Sequence, residues 1–176
     1  MKRKIATKDL VLTALFAALT AVLAQIQLPI GPVPFNLAVF GAFLAGMLLA
    51  PAWAAASMGV YMLLGAVGIP VFAGFMGGPA VLLGKTGGYV IGYIFIALAT
   101  ALAVKRSGKL PVIGLAGLLI CYGFGTAWFM AVTGADLVSA LGWCVLPFIV
   151  PDVCKGVLAC VLGRLLAGRL AKAGVA

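Results

Sequence analysis

The sequence predicts an all-α, polytopic membrane protein, and three observations support this prediction. Of the 176 residues, 65% are hydrophobic and only 9% are charged, whereas soluble domains contain about 25% charged residues. Several apolar runs reach the ~20 residues that a helix needs to cross a bilayer core. The runs are continuous, and a transmembrane barrel would show short alternating segments instead. We therefore expect a single transmembrane domain over residues 1–176.

The first predicted span covers residues 10–28. The basic segment before it is not followed by the short apolar core and small-residue cleavage site of a signal peptide, so we expect this helix to be retained. Its alanines, Ala14 and Ala18 among them, recur at three- and four-residue spacing. Such stripes let helices approach closely in lipid. The stripe indicates either internal packing or contact with a partner subunit, and the spacing leaves both open.

Four further spans are predicted over residues 37–50, 52–67, 82–104 and 112–132. Apolar loops rich in proline and glycine lie at residues 29–36 and 68–79. Three prolines within six residues of the first loop are incompatible with a helix interior, and we expect both loops to be stiff and to act as lids.

The sixth and last span lies within residues 141–172, which are too many for one crossing. We predict a short approach segment over 141–150 and a last helix that begins near Pro151, because proline is well suited to the first turn of a helix. Asp152 would then lie at the positive end of the helix dipole.

Basic residues predict how these six helices are oriented. Ten of the 12 lysines and arginines flank apolar runs on the side of the N-terminus. They are Lys2, Arg3, Lys4, Lys8, Lys105, Arg106, Lys109, Arg164, Arg169 and Lys172. This placement indicates membrane orientation rather than nucleic-acid binding, and the positive-inside rule predicts that both termini are cytoplasmic. The two loops and the start of the last helix then face outside.

Asp152 and Lys155 form an acid–base pair inside the last apolar run. Their three-residue spacing places both side chains on one face of a helix. An ionisable residue within a membrane is costly and marks a functional-site hypothesis; a mutually neutralising pair is the alternative. The chain has no histidine, and its four cysteines lack CxxC spacing. We therefore predict no zinc or haem site and no other cofactor.

A second polar run, GKTGGY, occupies residues 84–89. It differs from the phosphate-binding pattern GxxxxGK[ST], because Pro79 occupies the first glycine position and no strand precedes it. We interpret the run as a glycine-rich helix start whose amides, with Thr86 and Tyr89, bind a polar group. Lys85 either joins this site or extends to the lipid headgroups.

These groups, together with Asn36 after the first loop, are predicted to converge at the outer leaflet. Phe35, Phe72, Phe75 and Trp128 would supply apolar walls. The residues thus indicate a small, amphipathic, acidic ligand with amide-like N–H groups. An intramembrane enzyme that uses Asp152 as an acid or base, and a purely structural subunit, are the other classes.

Four motifs together give a more specific indication. PIGPVPFNL, YMLLGAVGIPVFAG, GKTGGYVIGY and VPDVCKG occur in that order and resemble the biotin-specific S component, the BioY family, of energy-coupling-factor vitamin transporters. The resemblance implies a six-helix protein of a prokaryotic cell membrane that captures biotin from outside and delivers it to the cytoplasm. It also implies a transmembrane T subunit and a pair of cytoplasmic ATPases as partners. An S component for another vitamin, such as thiamine or riboflavin, is the alternative.

The resemblance also implies roles for individual residues. The implied ligand-binding residues are Asn36, Lys85, Thr86, Gly87, Tyr89, Asp152 and Lys155. Ala14 and Ala18 match the surface that contacts the T subunit. The family usually has proline where this chain has Lys85, so this residue is expected either to pair with the ligand carboxylate or to relax the turn.

Overall fold

The structure is a computed structural model that describes residues 6–28, 32–107 and 112–172. In these ranges the chain forms eight helices and one short hairpin. The elements are α1 (Thr7–Gln25), β1 (Gln27–Leu28), β2 (Phe35–Asn36), α2 (Ala38–Leu48), α3 (Pro51–Ala66), α4 (Pro79–Leu83), α5 (Gly87–Ser107), α6 (Val112–Thr133), α7 (Leu137–Cys144) and α8 (Leu146–Lys172).

Four of the described helices are long and apolar enough to cross a membrane: α1, α5, α6 and α8. The helices α2 and α3 are apolar but have only 11 and 16 residues. At a rise of 1.5 Å per residue, α2 is about 16 Å long, roughly half of a ~30 Å bilayer core. The prediction of a mostly helical membrane protein is therefore confirmed, with four candidate spans in the described residues.

The first helix ends at Gln25, three residues earlier than predicted, because the chain turns into a hairpin. Gln27 pairs with Asn36 and Leu28 with Phe35 in an antiparallel register. Residues 29–31 of the predicted first loop lie outside the described residues, as do the basic residues Lys2, Arg3, Lys4 and Lys109.

The prediction that the last helix begins near Pro151 is wrong. The helix α8 begins at Leu146 and continues through Pro151, and Pro147 takes the early position that suits proline. Pro151 has no N–H to donate to the carbonyl oxygen of Pro147, so the helix lacks this one hydrogen bond. Because the missing bond lies near the N-terminal end of α8, its loss affects only the start of the helix. Asp152 consequently lies inside the helix and not at the positive end of its dipole.

The predicted approach segment is α7, which begins earlier than expected. Asp136 caps it, since its carboxylate accepts a hydrogen bond from the backbone N–H of Ser139 at 3.3 Å. Hydrogen bonds from Ser139 lower the pKa of this exposed carboxyl group. The cap fixes the start of the helix that carries Cys144.

The fourth predicted span divides into two helices. The short α4 ends at Leu83, and α5 begins only at Gly87. A Cβ atom at Gly87 would collide with the carbonyl oxygen of Leu82, so the chain doubles back too tightly for any residue but glycine. The turn at residues 84–86 therefore lies directly before α5.

The core is organised around α2 and α5. The helix α5 packs against α6, α2 and α3, while α2 also packs against α8. The largest fully buried side chains of the core include Met58, Tyr61, Phe72, Ile96 and Phe129. Because α2 begins directly after β2, this packing holds the hairpin beside α8 and α5.

Candidate functional site

The centre of the site is the pair formed by Asp152 and Lys155. The Lys155 Nζ atom donates to Asp152 Oδ1 at 2.7 Å. The two residues are only 3% and 7% exposed, so the prediction that they share one face of a helix is confirmed. Burial of two charges is costly unless further hydrogen bonds satisfy them. The remaining contacts of the pair therefore decide what it can do.

Both members of the pair contact other elements. Lys155 Nζ also donates to the backbone oxygen of Asn36 at 2.7 Å and lies 3.8 Å from the centroid of the Phe35 ring. The Tyr122 hydroxyl donates to Asp152 Oδ2 at 2.7 Å. An ammonium group has three donors, and among the described residues Asp152 and Asn36 occupy two of them. The third donor and the remaining carboxylate lone pairs can serve a ligand.

Two adjacent cavities lie at this site, and the first of them borders the pair. The first is lined by Tyr122, Cys121, Cys144, Phe148, Asp152 and Lys155 among others. The second is lined by Tyr61, Phe72, Ala73, Met76 and Thr86 among others. Both share Val33, Pro34, Asn36, Tyr89 and Tyr93 as their common wall. Each cavity has a volume of only about 40 Å³, enough for a few water molecules at most.

The turn before α5 contributes part of the second cavity. Thr86 lines it, and Tyr89 lines both cavities. The Tyr89 hydroxyl lies 3.0 Å from Thr126 Oγ1, which fixes its direction. Gly87 lines neither cavity and instead allows the tight approach to Leu82 described above. Asn36 lines both cavities, and its Oδ1 accepts from the Ala38 N–H at 2.9 Å.

Three residues expected near the ligand lie elsewhere. Lys85 is exposed and does not line either cavity. Phe75 is 72% exposed at the tip of a loop. Trp128 donates from Nε1 to the Gly84 carbonyl oxygen at 3.0 Å, so it braces the turn before α5 instead of forming a cavity wall.

The alanine stripe of α1 divides between two faces. Ala17 and Ala24 are buried, whereas Ala14 and Ala18 are exposed. The exposed pair lies among the outward-facing apolar residues Leu10, Val11, Leu15 and Val22. Part of the stripe thus packs internally, and Ala14 and Ala18 lie on the outer surface of the described protein.

The sequence analysis missed several residues of the site. Tyr93 lines both cavities, and Tyr122 holds Asp152. The available signal was their spacing: Tyr89 with Tyr93, and Tyr122 with Thr126, lie four residues apart on apolar helices and therefore share a face. Among the described residues no group of three or more histidine, cysteine or acidic side chains could hold a metal ion.

Comparison with known proteins gives consistent matches over nearly the whole chain. The BioY family matches residues 1–172. The "Probable biotin transporter BioY" of Pyrococcus horikoshii is 46% identical over 162 residues, which covers 92% of this chain and 97% of that protein. The "Biotin transporter BioY" of Thermotoga maritima is 38% identical, covering 85% and 80%. The crystal structure of the S-component for biotin from an ECF-type ABC transporter superposes with a TM-score of 0.84 at 30% identity, covering 94% of each chain.

Proposed function

This chain belongs to the BioY family, and we propose that it is an S component that captures biotin outside the cell and delivers it to the cytoplasm. Its relatives from prokaryotes are biotin transporters by name. With its apolar helices, the chain is a multi-pass protein of the cell membrane. The observation that carries the proposal is the buried Asp152–Lys155 pair, which borders a cavity beside the hairpin.

The chemistry of the pair matches the ureido ring of biotin. That ring carries two N–H donors and one carbonyl acceptor. The carboxylate of Asp152 accepts from N–H groups, and the third donor of Lys155 is suited to the carbonyl oxygen. Charge-assisted hydrogen bonds of this kind are shorter and stronger than neutral ones. Tyr93 and Phe148, which line the same cavity, would enclose the apolar part of the ring system.

The rest of the ligand would extend into the second cavity. Thr86 and Tyr89 line this space. Lys85 precedes Thr86 in the turn before α5, and Gly87 is the first residue of α5. We assign the acidic tail of biotin to this end, where Lys85 can approach the carboxylate from the surface. Ligand pockets usually measure about 300–1,000 Å³, far above the 40 Å³ of each cavity. Binding therefore requires the shared wall to move, and this movement would join the two cavities.

The exposed basic residues support one orientation of the chain in the membrane. Lys8 at the start of α1, Lys105 near the end of α5, and Arg164, Arg169 and Lys172 near the end of α8 are all exposed. We assign these ends to the cytoplasm by the positive-inside rule. With α2 and α3 as the two shorter crossings, the single domain of residues 1–176 then has six membrane helices, with both termini inside.

Accumulation of a solute against its concentration gradient requires a source of energy. The related solved structure is described as belonging to an ECF-type ABC transporter. We propose that this chain associates with a transmembrane T subunit and a pair of cytoplasmic ATPases. The exposed alanines Ala14 and Ala18 on α1 form the proposed contact with the T subunit, because small side chains permit close helix approach in lipid.

Titration of purified protein with biotin, thiamine and riboflavin tests the ligand class. The proposal expects heat only with biotin and recovery of the ligand unchanged after prolonged incubation. Preferential binding of thiamine or riboflavin would favour an S component for that vitamin. Chemical conversion of biotin would favour an intramembrane enzyme that uses Asp152.

A further inference from the structure

Gln25, the last residue of α1, connects this helix to a distant loop. Its Nε2 atom donates to the backbone oxygens of Val71 and Phe72, both at 3.1 Å, and to that of Ala21 at 3.0 Å. Its Oε1 atom accepts from the Phe75 N–H at 2.8 Å. Carbonyl oxygens surround the amide nitrogen and an N–H faces the amide oxygen, so the network assigns one orientation to the amide.

The loop that Gln25 holds is a tight turn between Phe72 and Met76. The backbone of Phe72 donates to Met76 at 2.9 Å and accepts from it at 3.3 Å. Gly74 and Phe75 have left-handed φ angles of 74° and 55°, and this conformation is costly for a bulky residue such as Phe75. The Phe75 N–H that donates to Gln25 Oε1 lies in this strained part of the turn, so the hydrogen bond stabilises the unfavourable conformation.

The same turn forms a wall of the second cavity. Phe72, Ala73 and Met76 line it together with Thr86 and Tyr89. Phe72 is buried and makes an edge contact with the Tyr61 ring at 5.5 Å between centroids. The tip at Phe75 and Met76 is 72% and 47% exposed. Release of the tip would therefore open the second cavity towards the surface.

We infer that Gln25 is a positioning residue that keeps the 72–76 turn closed over the bound ligand and thereby slows ligand release. This inference rests on the proposed function, since the ligand concerned is biotin. Gln25 does not line either cavity, so it acts through the turn and not by contact. Loss of its hydrogen bonds favours the open turn and raises the dissociation rate, while the polar groups around Asp152 keep their recognition of the ureido ring.

The test measures biotin association and dissociation by stopped flow with the full chain in nanodiscs. Gln25→Met keeps the length of the side chain but removes the donors and the acceptor. We expect the dissociation rate to rise about tenfold and the association rate to change less than about twofold. Thr133→Val is the matched control, because it also removes side-chain hydrogen bonds at a helix end, to the Phe129 carbonyl oxygen and from the Ala135 N–H, away from this turn. Its rates should equal those of the wild type.

A second variant, Gln25→Glu, should make the dissociation rate depend on pH in a way that general destabilisation of the protein would not. The ionised carboxylate cannot donate to the backbone oxygens of Val71 and Phe72, whereas the protonated acid has one O–H that can donate to either of them. The ratio of its dissociation rate to that of the wild type should therefore fall as the pH is lowered from about 8 to about 5. This variant also replaces Gln25→Met as the test if the latter does not fold.

Wild-type dissociation rates in the folded variants, at every pH, would overturn the role of Gln25 while leaving biotin binding intact. A wild-type protein that does not bind biotin would overturn the proposed function as well. The two failures are thus distinguished by the wild-type trace in the same experiment.

Discussion

The hydroxyl group of Tyr122 donates to Asp152 Oδ2 at 2.7 Å, from the middle of α6 to the interior of α8. Lys155 occupies the other carboxylate oxygen at the same distance. The carboxylate is therefore held from both sides in one orientation. A ligand that donates to Asp152 meets an acceptor whose direction is already fixed, which reduces the entropy lost on binding.

Tyr122→Phe should lower biotin affinity about tenfold, which corresponds to about 1.4 kcal/mol. The substitution removes one hydrogen bond to a charged group, a contribution of about 1.5–3 kcal/mol, and keeps the aromatic ring. Titration calorimetry measures the change. Thr133→Val serves as the control for loss of a hydroxyl group away from the cavities, and wild-type affinity in folded Tyr122→Phe would show that Asp152 does not need this donor.

Lys85→Ala should weaken biotin binding less than about fivefold, because a pair between exposed charges contributes about 0–1 kcal/mol. The loss should disappear in high salt and be absent for the methyl ester of biotin, which lacks the carboxylate. Lys85→Arg retains the charge and should bind like the wild type. An equal loss for biotin and its methyl ester would instead indicate that Lys85 acts on the turn before α5.

Replacement of Ala14 and Ala18 by leucine should impair assembly with the T subunit and biotin uptake, while biotin binding by the isolated chain stays unchanged. Both alanines are exposed on α1, so larger side chains fit the isolated protein but separate closely packed helices. Ala131→Leu on α6 is the matched control, since Ala131 is also exposed. Loss of biotin binding in the Ala14 and Ala18 variants would assign these residues to internal packing.

The sequence predicted those features that depend on local pattern. Continuous apolar runs located the long helices, and the three-residue spacing predicted the contact between Asp152 and Lys155. The same local reasoning misplaced the start of the last helix. Both Pro147 and Pro151 are compatible with an early helical position, so this preference alone cannot choose between them. It also takes no account of the packing of the last helix against α2.

The missing parts of the site depend on distant contacts. Tyr122 and Tyr93 look like ordinary core residues of apolar helices, because only the fold brings them to Asp152 and Asn36. The partners of Gln25 in and beside the 72–76 turn lie 46 to 50 residues further along the chain. Hydrogen bonds of that separation leave no periodic signal in the sequence.

Titration calorimetry of the purified chain with biotin tests the central claim most directly. We predict binding of one biotin per chain with micromolar or tighter affinity. In both Asp152→Asn and Lys155→Ala the affinity should fall about tenfold or more, which corresponds to at least about 1.4 kcal/mol. A flat trace for the folded wild-type protein at micromolar concentration would show that the chain does not bind biotin. Wild-type affinity in both variants would contradict the assignment of the site to Asp152 and Lys155.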